Sequence, residues 1–328
     1  MTEGSEVQLA RQAGMGEGRP VGAPSPPAVS VSAVVVNPSK VVDLDARREE
    51  ICAALAEAGW PEPLWLLTTP EDPGCGMAQQ AVESGVEVVF AFGGDGTVMA
   101  CAAVLAGTQV ALAVLPSGTG NLLATNLGLP SDVSEGIALA TNGARRRIDV
   151  GAVENADTAS GHGGCFTVMA GMGFDAQMLD ATSNTMKKHL GWLAYALAAL
   201  RYLRHRPMRV RIRLDGGAPL RRRVRTVLIG NVGKLQGGIL LLPDAEPDDG
   251  CLDVAVLSPR NLGQWVQLAI GVMRKQPVVP RMETFRARKV EVRSNHEQPR
   301  ELDGDVIAPS RSLTVTVRSA ALTVCVPA

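Results

Sequence analysis

Two glycine-rich turns carry the strongest chemical signal in this chain. Gly93-Gly94-Asp95-Gly96-Thr97 follows directly on the apolar run Val86 to Phe92 and precedes a stretch of helical character. Pro116-Ser117-Gly118-Thr119-Gly120-Asn121 repeats the arrangement after the apolar run Val110 to Leu115. Glycine lets backbone N–H groups approach an anion without a clashing side chain, and a turn that opens a helix adds the positive end of its dipole. Asp95 stands where a carboxylate could hold Mg²⁺ against a triphosphate. No Gly-Lys-Ser/Thr follows, which argues against a P-loop and leaves charge neutralisation to metal, backbone and hydroxyls such as those of Thr97 and Thr119. Either turn alone is equally an ordinary tight turn; both together, each after a strand, point to one shared nucleotide and to phosphotransfer.

Two acidic constellations lie further on. In Glu301-Leu302-Asp303-Gly304-Asp305, paired carboxylates around a glycine can serve as a general base and its orienting or metal-binding neighbour, although Asp-Gly is also common turn chemistry. The stretch Pro243 to Asp253 is an acidic loop that could hold a divalent ion through a carboxylate and carbonyls, or could simply be solvated.

Alternating elements must position these groups. Ser32 to Val36, Leu64 to Thr68, Val86 to Phe92 and Val110 to Leu115 read as strands. Leu44 to Ala58, capped by Asp43 and ended by Gly59, reads as a helix, as do Met77 to Ser84 and Val98 to Leu105. The alternation predicts a parallel sheet with helices on its faces, and both glycine-rich turns fall at the carboxyl ends of strands, where such sheets bind ligands. After Asp149 strand-like runs dominate: Arg209 to Leu214, Val224 to Asn231, Leu252 to Leu257, Val290 to Arg293, Leu313 to Val317 and Leu322 to Val326, with Ser294 to Glu297 hairpin-like. The reading is therefore a flexible tail over residues 1–30, an α/β nucleotide-binding domain over 31–149 and a β-rich domain over 150–328. The boundary is placed near Arg145 to Asp149, and a return of the C-terminal segment to the first domain is left open.

The 328 residues suffice for two cores. With 32 basic and 33 acidic residues the net charge is −1, which provides no global field for nucleic acid. The six cysteines form no C-x-x-C pair and do not cluster with the four histidines, so reduced thiols and a cytoplasmic location are expected. No apolar run reaches the roughly 18 residues of a spanning helix. Leu190 to Leu200 is apolar nearly all round and bracketed by Lys187, Lys188, Arg201, Arg204 and Arg206. That pattern suits either a buried helix with solvated ends or an interfacial helix on an anionic membrane.

Taken in order, Asn37-Pro38, Gly93 to Thr97, Pro116 to Asn121, Gly171-Met172-Gly173-Phe174-Asp175, Asp249-Gly250-Cys251-Leu252-Asp253 and Leu302 to Asp305 resemble the diacylglycerol kinase catalytic-domain family of lipid kinases. That family includes bacterial soluble diacylglycerol kinases and the sphingosine and ceramide kinases, and the likeness runs from about Val31 to the end of the sequence. It implies an N-terminal α/β domain like those of phosphofructokinases and NAD kinases, a C-terminal β-sandwich, and an active site in the cleft between them. It also implies transfer of the γ-phosphoryl group of ATP to a lipid hydroxyl at a membrane surface, most simply that of diacylglycerol, by a cytoplasmic protein peripheral to the inner face of the membrane.

By position, the resemblance assigns ATP binding to Gly93, Gly94, Asp95, Gly96, Thr97, Val98, Met99, Ala100, Gly118, Thr119 and Asn121, with Thr69 or its neighbour Thr68 contributing. Asp95 would organise Mg·ATP, and Asp149 matches an acidic residue of the interdomain site. Asp303 and Asp305 match the acidic pair whose second member accepts the proton. A structural Mg²⁺ would be held at Glu246, Asp249 and Cys251, the flanking two through backbone carbonyls. A homodimer is compatible with the resemblance. In two places the chain departs from the family: Asp305 stands where glutamate is common, and Met99-Ala100 where Asn-Glu is frequent. Two other readings remain at this stage: an NAD kinase-like enzyme with a soluble substrate, and a non-catalytic regulator that binds lipid or nucleotide.

Overall fold

The computed structural model describes residues 32–117, 121–154, 163–173, 207–235, 239–274, 276 and 278–328. The expected tail, Gly118, Thr119, Phe174, Asp175 and the segment Leu190 to Leu200 lie outside the described residues.

The first unit is built on four parallel strands in the order β2-β1-β3-β4: β1 (Ser32–Val36), β2 (Leu64–Leu67), β3 (Val88–Gly93) and β4 (Ala111–Pro116). Every residue of β1, β3 and β4 is buried, as parallel strands covered on both faces require. Strand alternation divides the core. Val34, Val36, Phe90 and Leu115 pack with Ile51 and Leu55 of α1 (Leu44–Glu57) and Ile137 of α5 (Val133–Asn142). On the other face Ala33, Val35, Val89 and Ala91 meet α2 (Cys75–Glu83) and α3 (Asp95–Leu105). Asp43 caps α1 through the Ala46 N–H at 3.3 Å, as expected. α3 begins three residues before the expected Val98, because Gly94 serves as its cap and Asp95 opens its first turn, where a carboxylate favours the dipole. The short α4 (Leu122–Leu127) follows the second glycine-rich turn.

The second unit is antiparallel. β5 (Ala144–Val153), β6 (Cys165–Phe166), β7 (Met169–Met172), β8 (Met208–Leu214), β9 (Leu220–Val224), β10 (Thr226–Gly230), β11 (Leu252–Leu257) and β12 (Met282–Ala287) lead to two long strands, β13 (Lys289–Leu302) and β14 (Asp305–Val326). α6 (Leu262–Met273) lies between β11 and β12 in sequence. β13 pairs with β8 through Val290 to Ser294 and with β7 through Arg300 to Leu302, so one strand serves both layers of the sandwich. Between these halves, where Ser294 to Glu297 suggested a hairpin, the pairing with β14 shifts register. The polar run is a bulge that bends a continuous strand. Phe166, Met172, Met208, Ile212, Ile229, Val254, Val292 and Leu313 fill the space between the layers.

The units share a sheet. β14 combines the two expected runs, Leu313 to Val317 and Leu322 to Val326, into one strand with a register shift against β5 between Arg318 and Leu322. Its last turn of pairing is parallel, Thr323 against Ala111 and Val324 against Leu112 of β4. Arg145 to Asp149, taken from sequence as the boundary, lies within β5. No helix among the described residues is long and apolar enough to cross a membrane.

Gly151 in β5 lies under the Phe166 ring, and a Cβ there would stand 2.1 Å from Cζ. We expect Gly151→Ala to destabilise the protein by about 2 kcal/mol, read as a lower urea midpoint, because the buried ring must leave its position.

Candidate active site

The ends of three parallel strands converge. Asn37 follows β1, Gly93 ends β3 and Pro116 ends β4, and the pocket above them, about 370 Å³, is lined by Asn37, Lys40, Pro73, Gly93, Gly94, Asp95, Gly96, Thr97, Ser117 and Asn121. Gly93 must lack a side chain, since a Cβ would lie 2.8 Å from Thr97 Oγ1. The first turn of α3 forms one wall, and such a turn presents N–H groups that have no partner within the helix. Asn121 forms another part of it. Its Oδ1 accepts the Ala124 N–H at 2.8 Å as the cap of α4, which fixes the amide's orientation. Asn121 is 6% exposed and its Nδ2 has no partner among the described residues, which leaves a buried donor in the pocket wall.

Asp95 ties the two glycine-rich turns together, since its Oδ1 accepts the Leu122 N–H at 2.8 Å. Burial raises its pKa, the Leu122 N–H opposes the rise, and the charge of Asp305 adds to it. Two mutually repelling carboxylates beside phosphate-sized space fit a divalent cation, whose charge would relieve that repulsion.

Lys40 and Ser117 were not anticipated from sequence. Asn37 Oδ1 accepts the Ser39 N–H at 3.1 Å and the Ser39 hydroxyl at 2.7 Å, and the Lys40 N–H donates to Asn37 O at 3.0 Å. The Ser117 hydroxyl donates to Lys40 O. This tight turn brings an exposed ammonium to the pocket rim. Its signal was the Asn-Pro dipeptide, which marks a turn without showing which way the following lysine faces.

Behind Asp95 a smaller cavity is lined by Asp95, Val98, Met99, Leu122, Leu123, Thr167, Val168 and Asp303. Asp303 and Gly304 form the two-residue turn between β13 and β14, with φ of 49° and 95° and Leu302 paired to Asp305. Positive φ at both residues suits an Asp-Gly hairpin turn. The Asp303 side chain accepts N–H groups from Thr167 at 2.8 Å, Val168 at 3.0 Å and Met169 at 2.6 Å, and the Thr167 hydroxyl at 3.3 Å. Burial still pushes its carboxyl up to about 6 against those donors. Asp303 thus anchors the turn, and Asp305, one residue past Gly304, stands exposed at the site.

The remaining expected residues are placed elsewhere. Val98 and Met99 line the inner cavity and not the outer pocket, and Thr167 Oγ1 contacts Met99 Sδ at 3.1 Å. Ala100 is fully buried and would touch any Cβ on Gly74, so its side chain faces α2. Thr69 is not in the pocket wall: its Oγ1 accepts the Asp72 N–H at 3.1 Å in the turn leading to Pro73. Asp149 is 1% exposed, with Oδ1 on the Ala320 N–H at 2.7 Å and Oδ2 on the Gly250 N–H at 2.6 Å, so it joins the acidic loop to β14.

In that loop Asp249 Oδ1 accepts the Cys251 N–H at 2.8 Å and its Oδ2 is paired with Arg286. Among the described residues no three His, Cys, Asp or Glu side chains gather as metal ligands. Arg286 also lies 3.8 Å from Asp253, so a cation held at Glu246, Asp249 and Cys251 would share the Asp249 carboxylate with that guanidinium.

Comparison with known proteins matches residues 32–153 to the diacylglycerol kinase catalytic domain and residues 168–326 to the YegS C-terminal NAD kinase beta sandwich-like domain. A diacylglycerol kinase of Mycobacterium tuberculosis is 32% identical over 215 residues, 65% of this chain and 68% of that protein. A Chromohalobacter salexigens protein described as "Probable lipid kinase YegS-like" is 32% identical over 243 residues, 71% and 74% of the two chains. In fold the chain is similar to a diacylglycerol kinase structure from Bacillus anthracis, with a TM-score of 0.71 at 23% identity, covering 92% of this chain and 98% of that one. It is also similar to an NAD kinase from Archaeoglobus fulgidus, with a TM-score of 0.50 at 13% identity, covering 90% and 93%.

Removing the Asp303 carboxylate leaves the three N–H groups of Thr167, Val168 and Met169 without their acceptor. Asp303→Ala is expected to lower unfolding free energy by about 3 kcal/mol in urea titrations, with Asp303→Asn intermediate because its one carbonyl oxygen still accepts.

Proposed function

We propose that this chain, which belongs to the diacylglycerol kinase family of lipid kinases, transfers the γ-phosphoryl group of ATP to the hydroxyl of diacylglycerol, giving phosphatidic acid. The observation that carries the reading is the pocket itself. The first turn of α3 and the unpartnered Asn121 Nδ2 offer donors for phosphate beside the Asp95 and Asp305 carboxylates.

In this reading the phosphate chain lies against the α3 turn, with Asn121 Nδ2 donating to a phosphate oxygen and Lys40 supplying the positive side chain of the rim. Asp95 would hold the Mg²⁺ that accompanies the nucleotide, which would supply charge neutralisation for the phosphoryl group in transfer. Asp305 accepts the proton of the lipid hydroxyl. Its side chain is one methylene shorter than the glutamate common in the family, and its place in the register, opposite Leu302, sets it at the start of β14, from where its charge acts on Asp95. Asp303 acts through that turn as a positioning residue. Holding reactants in line supplies much of the catalysis in phosphoryl transfer, so a rigid turn is what the base requires.

The test is phosphorylation of diacylglycerol in nonionic mixed micelles with labelled ATP and Mg²⁺. Asp305→Asn is expected to lower kcat by 10²–10⁴-fold, the range for loss of a general base, with ATP binding retained. Full turnover in that variant would place the base elsewhere, and no labelled lipid from wild type would overturn the reading. Asn121→Ala is expected to raise KM for ATP, because a buried donor to phosphate is lost. Since burial and Asp305 both hold Asp95 of the metal-free protein above the ordinary carboxylate range, activity at subsaturating Mg²⁺ should fall on acidification at a higher pH than an unperturbed aspartate would give. A pH–rate profile checks the sign: protonation of Asp95 removes the charge that holds the cation.

A further inference from the structure

The outer face of the β9-β8-β13 layer concentrates positive charge. β8 alternates buried Met208, Val210 and Ile212 with exposed Arg209, Arg211 and Arg213, and β9 presents Arg221 and Arg223 in the same way. The register sets Arg209 opposite Arg223, and Arg211 between Arg221 on one side and Arg293 of β13 on the other. Directly opposite side chains on adjacent strands have Cβ atoms about 4.5–5.5 Å apart, where like charges repel. Arg213 is relieved by Glu291 at 3.6 Å. Arg209, Arg211, Arg221, Arg223 and Arg293 take part in no ion pair among the described residues. Arg222, on the opposite parity of β9, pairs instead with Glu283 at 2.9 Å.

A chain with a net charge of −1 therefore carries one sheet face with five arginines that no acidic side chain among the described residues pairs. We propose that this five-arginine face docks the protein on the anionic surface of a phospholipid bilayer. The inference rests on the reading of a lipid acceptor, which must be reached at such a surface. A bilayer suits the face better than nucleic acid does. Among the described residues the outward positions beside the arginines are Glu291, Ser312 and Thr314, none of them an aromatic ring on which a base could stack, and the arginines lie on sheet strands and not on a helix that could enter a groove. In sequence, β8 also follows closely on the apolar stretch Leu190 to Leu200 and its basic flank Arg201, Arg204 and Arg206, a composition that matches a bilayer interface.

The test is cosedimentation of the full chain with phosphatidylcholine vesicles, with and without phosphatidylglycerol, and with duplex DNA as the competing polyanion. Wild type is expected to bind only the anionic vesicles and to leave them as salt rises. Each Arg→Gln change at positions 209, 211, 221, 223 and 293 should lower partitioning about fivefold, so that the combined variant stays in solution. The same variant should melt no lower than wild type, since repulsion is removed, and should phosphorylate diacylglycerol in nonionic micelles at the wild-type rate. Vesicle binding unchanged in the combined variant, or binding to DNA but not to vesicles, would overturn the proposal. Failure of wild type to phosphorylate lipid in micelles, with arginine-dependent vesicle binding intact, would instead count against the kinase reading alone.

Discussion

One carboxylate holds the two halves of the site in relation to each other. Asp303 receives three consecutive N–H groups from Thr167, Val168 and Met169, so the β13–β14 turn is fastened to the start of β7. The same β7 pairs with β13, and Thr167 reaches Met99 on α3. The second unit is thereby fixed against the helix that bears Asp95, and the backbone of Asp305 is carried with it. Asp95 plays a matching part in the first unit by accepting from Leu122 across the glycine-rich turns. Each acidic residue that organises the site does so by accepting backbone N–H groups, which a methylene change would misplace.

The parallel sheet and the two turns were legible in the sequence because their signals are local. Unbroken apolar runs followed by glycine mark buried strands with ligand-facing ends. The Asp303 clamp was not legible, since its partners lie far away in the chain and nothing in Thr167, Val168 and Met169 marks their N–H groups as unpaired until β7 is placed. Asp149 illustrates the same limit. The family resemblance assigned it to the interdomain site, and the structure adds that its two oxygens accept the N–H groups of Gly250 and Ala320. The polar run Ser294 to Glu297 carries turn-type residues yet sits within a strand, because a bulge tolerates the same side chains as a loop. Helical phase was the missing signal for Val98 and Ala100, which adjoin the glycine-rich turn in sequence but point to opposite sides of α3, one into the inner cavity and the other against α2.

Composition also conceals charge. Equal totals of acidic and basic residues would suggest an even surface, but the two-residue period of β8 and β9 places their arginines on one side and their apolar residues on the other. Field at a surface is set by register, and register becomes visible only once strands are paired.

The pairing of β14 with β4 bears on how the molecule is made. β4 carries the second glycine-rich turn, and its outer edge is covered by Thr323 and Val324, among the last residues of β14. During synthesis the nucleotide-binding unit emerges first with that edge bare, and it must wait for the whole antiparallel unit to follow before its sheet is complete. An uncovered apolar strand edge invites pairing with another chain. The order of synthesis thus leaves that edge open to mispairing until the distal strand arrives.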